Sequence, residues 1–136
     1  MTWKFSVNFE ITPRIIPTIR KLIAGTARTE GASETDAFTI EAAVNEVLSN
    51  AYLHAYAGNA GPLSVDVSYD GIRLQILVHD HGAPITNIPM IPKTSPPKGA
   101  DHRGLYLVGQ LMDEAEIIHP YRDGRGTAVR LVKYLR

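Results

Sequence analysis

The chain has no cysteine, which excludes a disulfide framework, a thiolate nucleophile and a thiolate metal site, and fits a reducing compartment. It also has no charge excess. Fourteen basic side chains balance fourteen acidic ones over 136 residues, so no global electrostatic footprint points to nucleic acid or to an anionic membrane surface. No apolar run approaches the ~20 residues that span a bilayer. The N-terminus, MTWKFSVNFEI, alternates where a signal peptide would carry an apolar block. The expectation is a cytoplasmic protein with neither nucleic acid nor membrane as a direct partner. Neither GxxxxGK[ST] nor a GxGxxG between strand and helix occurs, nor does the GxSxG elbow of serine hydrolases. His54, His79 and His81 are a poor zinc set, because the last two close a predicted strand and have no helical HxxxH partner.

With an apolar fraction of 44%, the length suits a single domain (1–136) around one core. Trp3 to Ile11 alternates as a strand with one covered face. Thr12 and Pro13 read as the cap and first position of a helix continued by Ile16, Ile19, Leu22, Ile23 and Ala27. Ser33 and Asp36 open a second helix, predicted to run to Gly58. After Gly61-Pro62 the period changes to two: Leu63, Val65, Val67 and Tyr69, a turn at Asp70-Gly71, then Ile72, Leu74, Ile76 and Val78. From Gly82 to Arg103 periodicity is lost among five prolines, which reads as a lid or binding loop. A short helix starts at Arg103-Gly104, with Leu105, Val108, Leu111 and Met112 inward. Two strands, Glu116 to His119 and Thr127 to Leu135, close the pattern. The order implies an α+β two-layer sandwich, with helices on one face of a mostly antiparallel sheet.

The second helix carries the residues that propensity does not explain. At about 100° per residue, Ile40, Val44, Val47, Leu48, Ala51 and Ala55 share one apolar arc. Glu46, Asn50 and His54 follow at i, i+4 and i+8, drifting about 40° per step, and so form a polar stripe along the border of that arc. Partly desolvated, they need partners, and a cation or polar ligand would supply them. A solvated helix edge with a satisfied histidine is the alternative.

Glu46-x-x-x-Asn50, His54-Ala55-Tyr56, Asp80-x-Gly82, a long loop, Arg103-Gly104-Leu105 and Gly126-Thr127 together resemble the ordered boxes of the GHKL ATPase superfamily. Within it, NEVLSNAYLHAY and the short length are most similar to the serine-kinase anti-sigma factors. The resemblance implies ATP and Mg²⁺ as cofactors. Asn50 would ligate Mg²⁺ together with the phosphates, and Glu46 would orient or deprotonate the attacking hydroxyl. Asp80 would accept from the adenine amino group, Gly82 would let the base approach the backbone, and Gly126-Thr127 would support the same edge. Gly104 and its helix, which continues through Leu105, would meet the phosphates beneath the Gly82 to Arg103 lid. Arg103 would contact phosphate and His54 would face the pocket or the loop. The partners implied are a sigma factor and a small antagonist protein whose serine is phosphorylated, and a homodimer is compatible with the resemblance. One position departs from it: His102 stands where the family has the first glycine of G-x-G-L, unless Gly99 takes that role. This leaves open a non-catalytic adaptor that binds ATP and acts by protein contact. A free-standing histidine-kinase-like domain is disfavoured, because no dimerisation and phosphoacceptor helix pair precedes the first strand.

Overall fold

The computed structural model describes residues 2–82, 91–96, 103–119, 121 and 126–135. Alternation of large apolar and polar side chains makes Trp3–Ile11 (β1) a strand with one face toward the core. It pairs antiparallel with Gly61–Tyr69 (β2), from Trp3 opposite Tyr69 to Ile11 opposite Gly61. Asp70 makes the turn to Arg73–Asp80 (β3) by accepting the N–H groups of Ile72 at 3.0 Å and Arg73 at 2.7 Å. Gly71 takes φ +99° there, a conformation open to glycine. Ile72 is part of this turn and not of the strand, and is 62% exposed. Its carbonyl accepts the Leu135 N–H instead.

Among the described residues the sheet is five-stranded and antiparallel throughout, in the order β1-β2-β3-β5-β4, where β4 is Glu114–Ile118 and β5 Ala128–Tyr134. It is open, with β1 and β4 at its edges. The inward set Leu63, Val65, Val67, Leu74, Ile76, Val78 and Leu131 is 2% exposed or less. It packs in one core with Ile23, Ile40, Val44 and Leu48 of the helices. The implied α+β sandwich is therefore the observed fold.

The first helix (α1, Ile16–Thr29) begins later than the Thr12-Pro13 expectation. Thr12 to Ile15 first closes a turn, Ile15 N–H to Thr12 O, and the second proline, Pro17, takes the helix start, where its missing N–H costs nothing. The second helix (α2, Glu34–Asn50) has the predicted cap, Ser33 Oγ accepting the Asp36 N–H at 3.0 Å. Arg20 ties the two helices together through Asn45 at 2.6 Å and Glu41 at 3.3 Å. After Asn50 the helix does not continue in α form to Gly58. Ala51–Ala55 widens to a π-turn, with Tyr56 N–H bonded to Ala51 O, and positive φ at Ala57 and Gly58 ends it. The third helix (α3, Arg103–Leu111) packs Leu105 and Val108 inward.

Candidate functional site

The inward parity of β3 runs Leu74, Ile76, Val78 and then Asp80, so the strand ends by placing a carboxylate on the helix-covered face. Asp80 is 6% exposed. One of its oxygens accepts the Gly82 N–H at 3.0 Å. Burial pushes its pKa up, and the hydrogen bonds from the backbone of Gly82 and Thr127, with the nearby His81 and His119, only partly offset this. A carboxylate in that state is short of donors and favours a ligand that brings one.

Thr127, 1% exposed, lies beside it, because Asp80 N–H bonds to Thr127 O at 3.0 Å and carries the β3–β5 pairing one step further. Together with Val47, Asn50, Ala51, Val78, Leu105 and Val129 they line a narrow cavity of about 10 Å³. Sites that bury a drug-sized ligand start at about 300 Å³, so a flat ring enters here only as the walls move apart. Leu105, carried by the resemblance as a nucleotide residue, is a core side chain forming one wall.

Two glycines shape the pocket edge by close approach. Gly126, at φ +69°, lies so near the Asp80 carbonyl that a Cβ would overlap it. Gly82, which the resemblance sets against the base, also answers an internal demand: a Cβ there would overlap the Ala55 carbonyl and press on the Tyr56 ring. The π-turn thus abuts the end of β3. Tyr56 locks the junction by donating its hydroxyl to Pro62 O and accepting the His81 N–H at 3.0 Å. In the sequence Tyr56 is only the end of His54-Ala55-Tyr56; its role needs the β2 and β3 ends brought together. Gly82→Ala should overpack this junction at about 1–3 kcal/mol. The expected outcome is a lower unfolding temperature by calorimetry and nucleotide affinity reduced at least about tenfold.

The other end of the site is built by α2 and α3. A Cβ on Gly104 would overlap Glu46 Oε2 and lie 3.8 Å from Asn50 Nδ2, so the first turn of α3 rests on both side chains. Glycine is the residue that permits this contact. Asn50 Nδ2 is buried without a hydrogen-bond partner among the described residues, an orphaned amide next to a carboxylate. The hard oxygens here are the Asn50 Oδ1 and the Glu46 carboxylate; so few fit a magnesium ion that completes its shell elsewhere, while the orphaned Nδ2 is a donor for a bound anion. Glu46 and Asn50 are partly buried as the stripe predicted, but His54 is exposed. The π-turn changes the angular step after Asn50 and swings His54 off the stripe. Arg103 is exposed and its guanidinium bonds Pro96 O at 3.0 Å, while Ile91 packs on Gly109. Residues 91–96 therefore run along α3, fastened at both ends. The rest of the expected lid, with Gly99 and His102, lies outside the described residues, as does 122–125. No group of three or more acidic, histidine or cysteine side chains placed to hold a metal exists among the described residues, including the three histidines considered from sequence.

A helix-on-sheet sandwich whose pocket lies between the second helix, the third helix and the ends of two central strands defines a class of ligand-binding domain. The chain belongs to the histidine kinase-like ATPase domain family, which matches residues 9–133. Serine-protein kinase RsbW of Bacillus mycoides (strain KBAB4) is 27% identical over 141 residues, covering 98% of this chain and 86% of that protein. Its namesake from Bacillus cereus (strain AH187) has the same identity and coverage. The solved structure of the RsbU and RsbW domains of Rv1364c from Mycobacterium tuberculosis superposes with a TM-score of 0.71 at 23% identity. That likeness covers 98% of this chain and 32% of the solved one. No helix among the described residues is long and apolar enough to cross a membrane.

Proposed function

We propose that this chain is an ATP-dependent protein serine kinase acting as an anti-sigma factor in the cytoplasm. It binds a sigma factor and phosphorylates a serine on a small antagonist protein. The observation that carries this reading is Glu46 seated against Gly104, one helical turn from Asn50: a carboxylate held beside the residues suited to a nucleotide's phosphate end. A nucleotide-binding adaptor has no need of a base there.

Asp80 and Thr127 hold the adenine edge, and α3 with Arg103 holds the phosphates. Asn50 supplies a ligand for Mg²⁺, which when bound neutralises phosphate charge. Glu46 accepts the proton of the acceptor serine as that oxygen bonds to the γ-phosphorus; the bond from that phosphorus to the bridging oxygen breaks, and ADP leaves. The test is incubation with Mg-ATP and candidate antagonists, followed by mass spectrometry. Phosphoserine on one antagonist is the expected result. ATP-dependent complexes with no phosphoserine on any antagonist would overturn the kinase reading in favour of the adaptor.

A further inference from the structure

His119 stands outside the pocket and outside every sequence motif, yet it is the next cross-strand neighbour of Thr127. The β4–β5 register ends with Ile118 opposite Ala128, so His119 and Thr127 face each other one step beyond. Asp80 continues the same row on β3. His119 Nδ1 is 3.1 Å from Gly126 O and 3.3 Å from Thr127 Oγ1. Gly126 O also accepts the Tyr121 N–H at 3.2 Å.

A bare Nδ1 would set its lone pair against the Gly126 carbonyl oxygen. The proton on Nδ1, donated to that carbonyl at 3.1 Å, removes the clash and makes the shorter contact, whereas the other tautomer keeps only a longer bond from Thr127 at 3.3 Å. Thr127 Oγ1, beside the same N–H, is then on the accepting side, so the threonine's own proton points away from His119. Since Thr127 is 1% exposed and lines the pocket, that proton is available inside it.

We infer that His119 is a specificity-determining positioning residue: by holding a proton on Nδ1 it commits the Thr127 hydroxyl to donate into the pocket beside the accepting carboxylate of Asp80. An acceptor next to a donor complements the 6-amino group and N1 of adenine, and opposes guanine, whose O6 and N1–H carry the reverse pattern. This rests on the nucleotide site proposed above and adds the origin of its base selectivity.

Calorimetry with ATP and 1-deaza-ATP, which lacks the N1 acceptor, tests it in wild type, His119→Phe and His119→Asn. Wild type should prefer ATP by about three- to tenfold, the size of one neutral hydrogen bond. The preference should collapse to within about twofold in His119→Phe, which has no donor, and survive in His119→Asn, which restores an N–H near the Nδ1 position. Nitrogen NMR of the free protein should independently find the neutral ring protonated on Nδ1. An undiminished preference in His119→Phe, or an Nε2-protonated ring, overturns the inference while leaving the nucleotide site intact. Equal weakening of both nucleotides in His119→Phe also overturns it, marking a purely structural residue. Failure of wild type to bind either nucleotide overturns the site itself.

Discussion

Glu46→Gln is expected to slow phosphoryl transfer to the antagonist by about 10² to 10⁴, the usual worth of a positioned general base, while ATP affinity stays within a fewfold of wild type. The amide keeps the volume that rests on Gly104 and loses only the basicity. Glu46 is partly buried and the amide is nearly isosteric with the carboxylate, so stability should hold. Single-turnover transfer from labelled ATP, beside calorimetric affinity and an unfolding curve, separates the cases. If affinity and stability fall with rate, Glu46 is a structural residue and the base lies elsewhere.

Asp80→Asn should weaken ATP and ADP alike, by about ten- to a hundredfold. It replaces a charged acceptor, whose hydrogen bonds are worth about 1.5–3 kcal/mol, with a group that can turn an N–H toward the base. The same substitution should leave the nucleotide-free protein as stable as wild type, or more so, at neutral pH. Burial raises the Asp80 pKa in the folded state above its ordinary unfolded value. Below the unfolded value both states are protonated and the group costs nothing. As pH rises through the folded value the buried carboxylate ionises, and its desolvation cost enters and persists to neutrality. Thermal unfolding without nucleotide should therefore show the variant gaining on wild type as pH rises through that window. A variant that loses ground as pH rises would mean that Asp80 is held by partners that stabilise its charge. Binding that is unchanged would remove Asp80 from the site.

Much of this protein was legible along the chain. The period-two runs of β1, β2 and β3, the Ser33 cap and the inward face of α2 each depend on residues a few positions apart, and local stereochemistry decides them. The α+β layering followed from their order, because each apolar face must be covered by another. Glu46 and Asn50 could be paired from sequence since one helical turn joins them. What the tertiary structure decided depends on residues far apart. His54 left the polar stripe because a π-turn formed where Ala55 meets Gly82, a contact 27 positions away in sequence. Gly82 and Gly104 answer to internal neighbours, the Ala55 carbonyl and the Glu46 carboxylate. The alliance of Asp80, Thr127 and His119 exists only in the register of three strands. Amino-acid order by itself determined which faces are apolar and where the chain turns, because those are short-range steric and hydration effects. The polarity of the pocket was decided by which backbone ends the sheet brings together, since a buried hydrogen bond has no direction until its partners are in place.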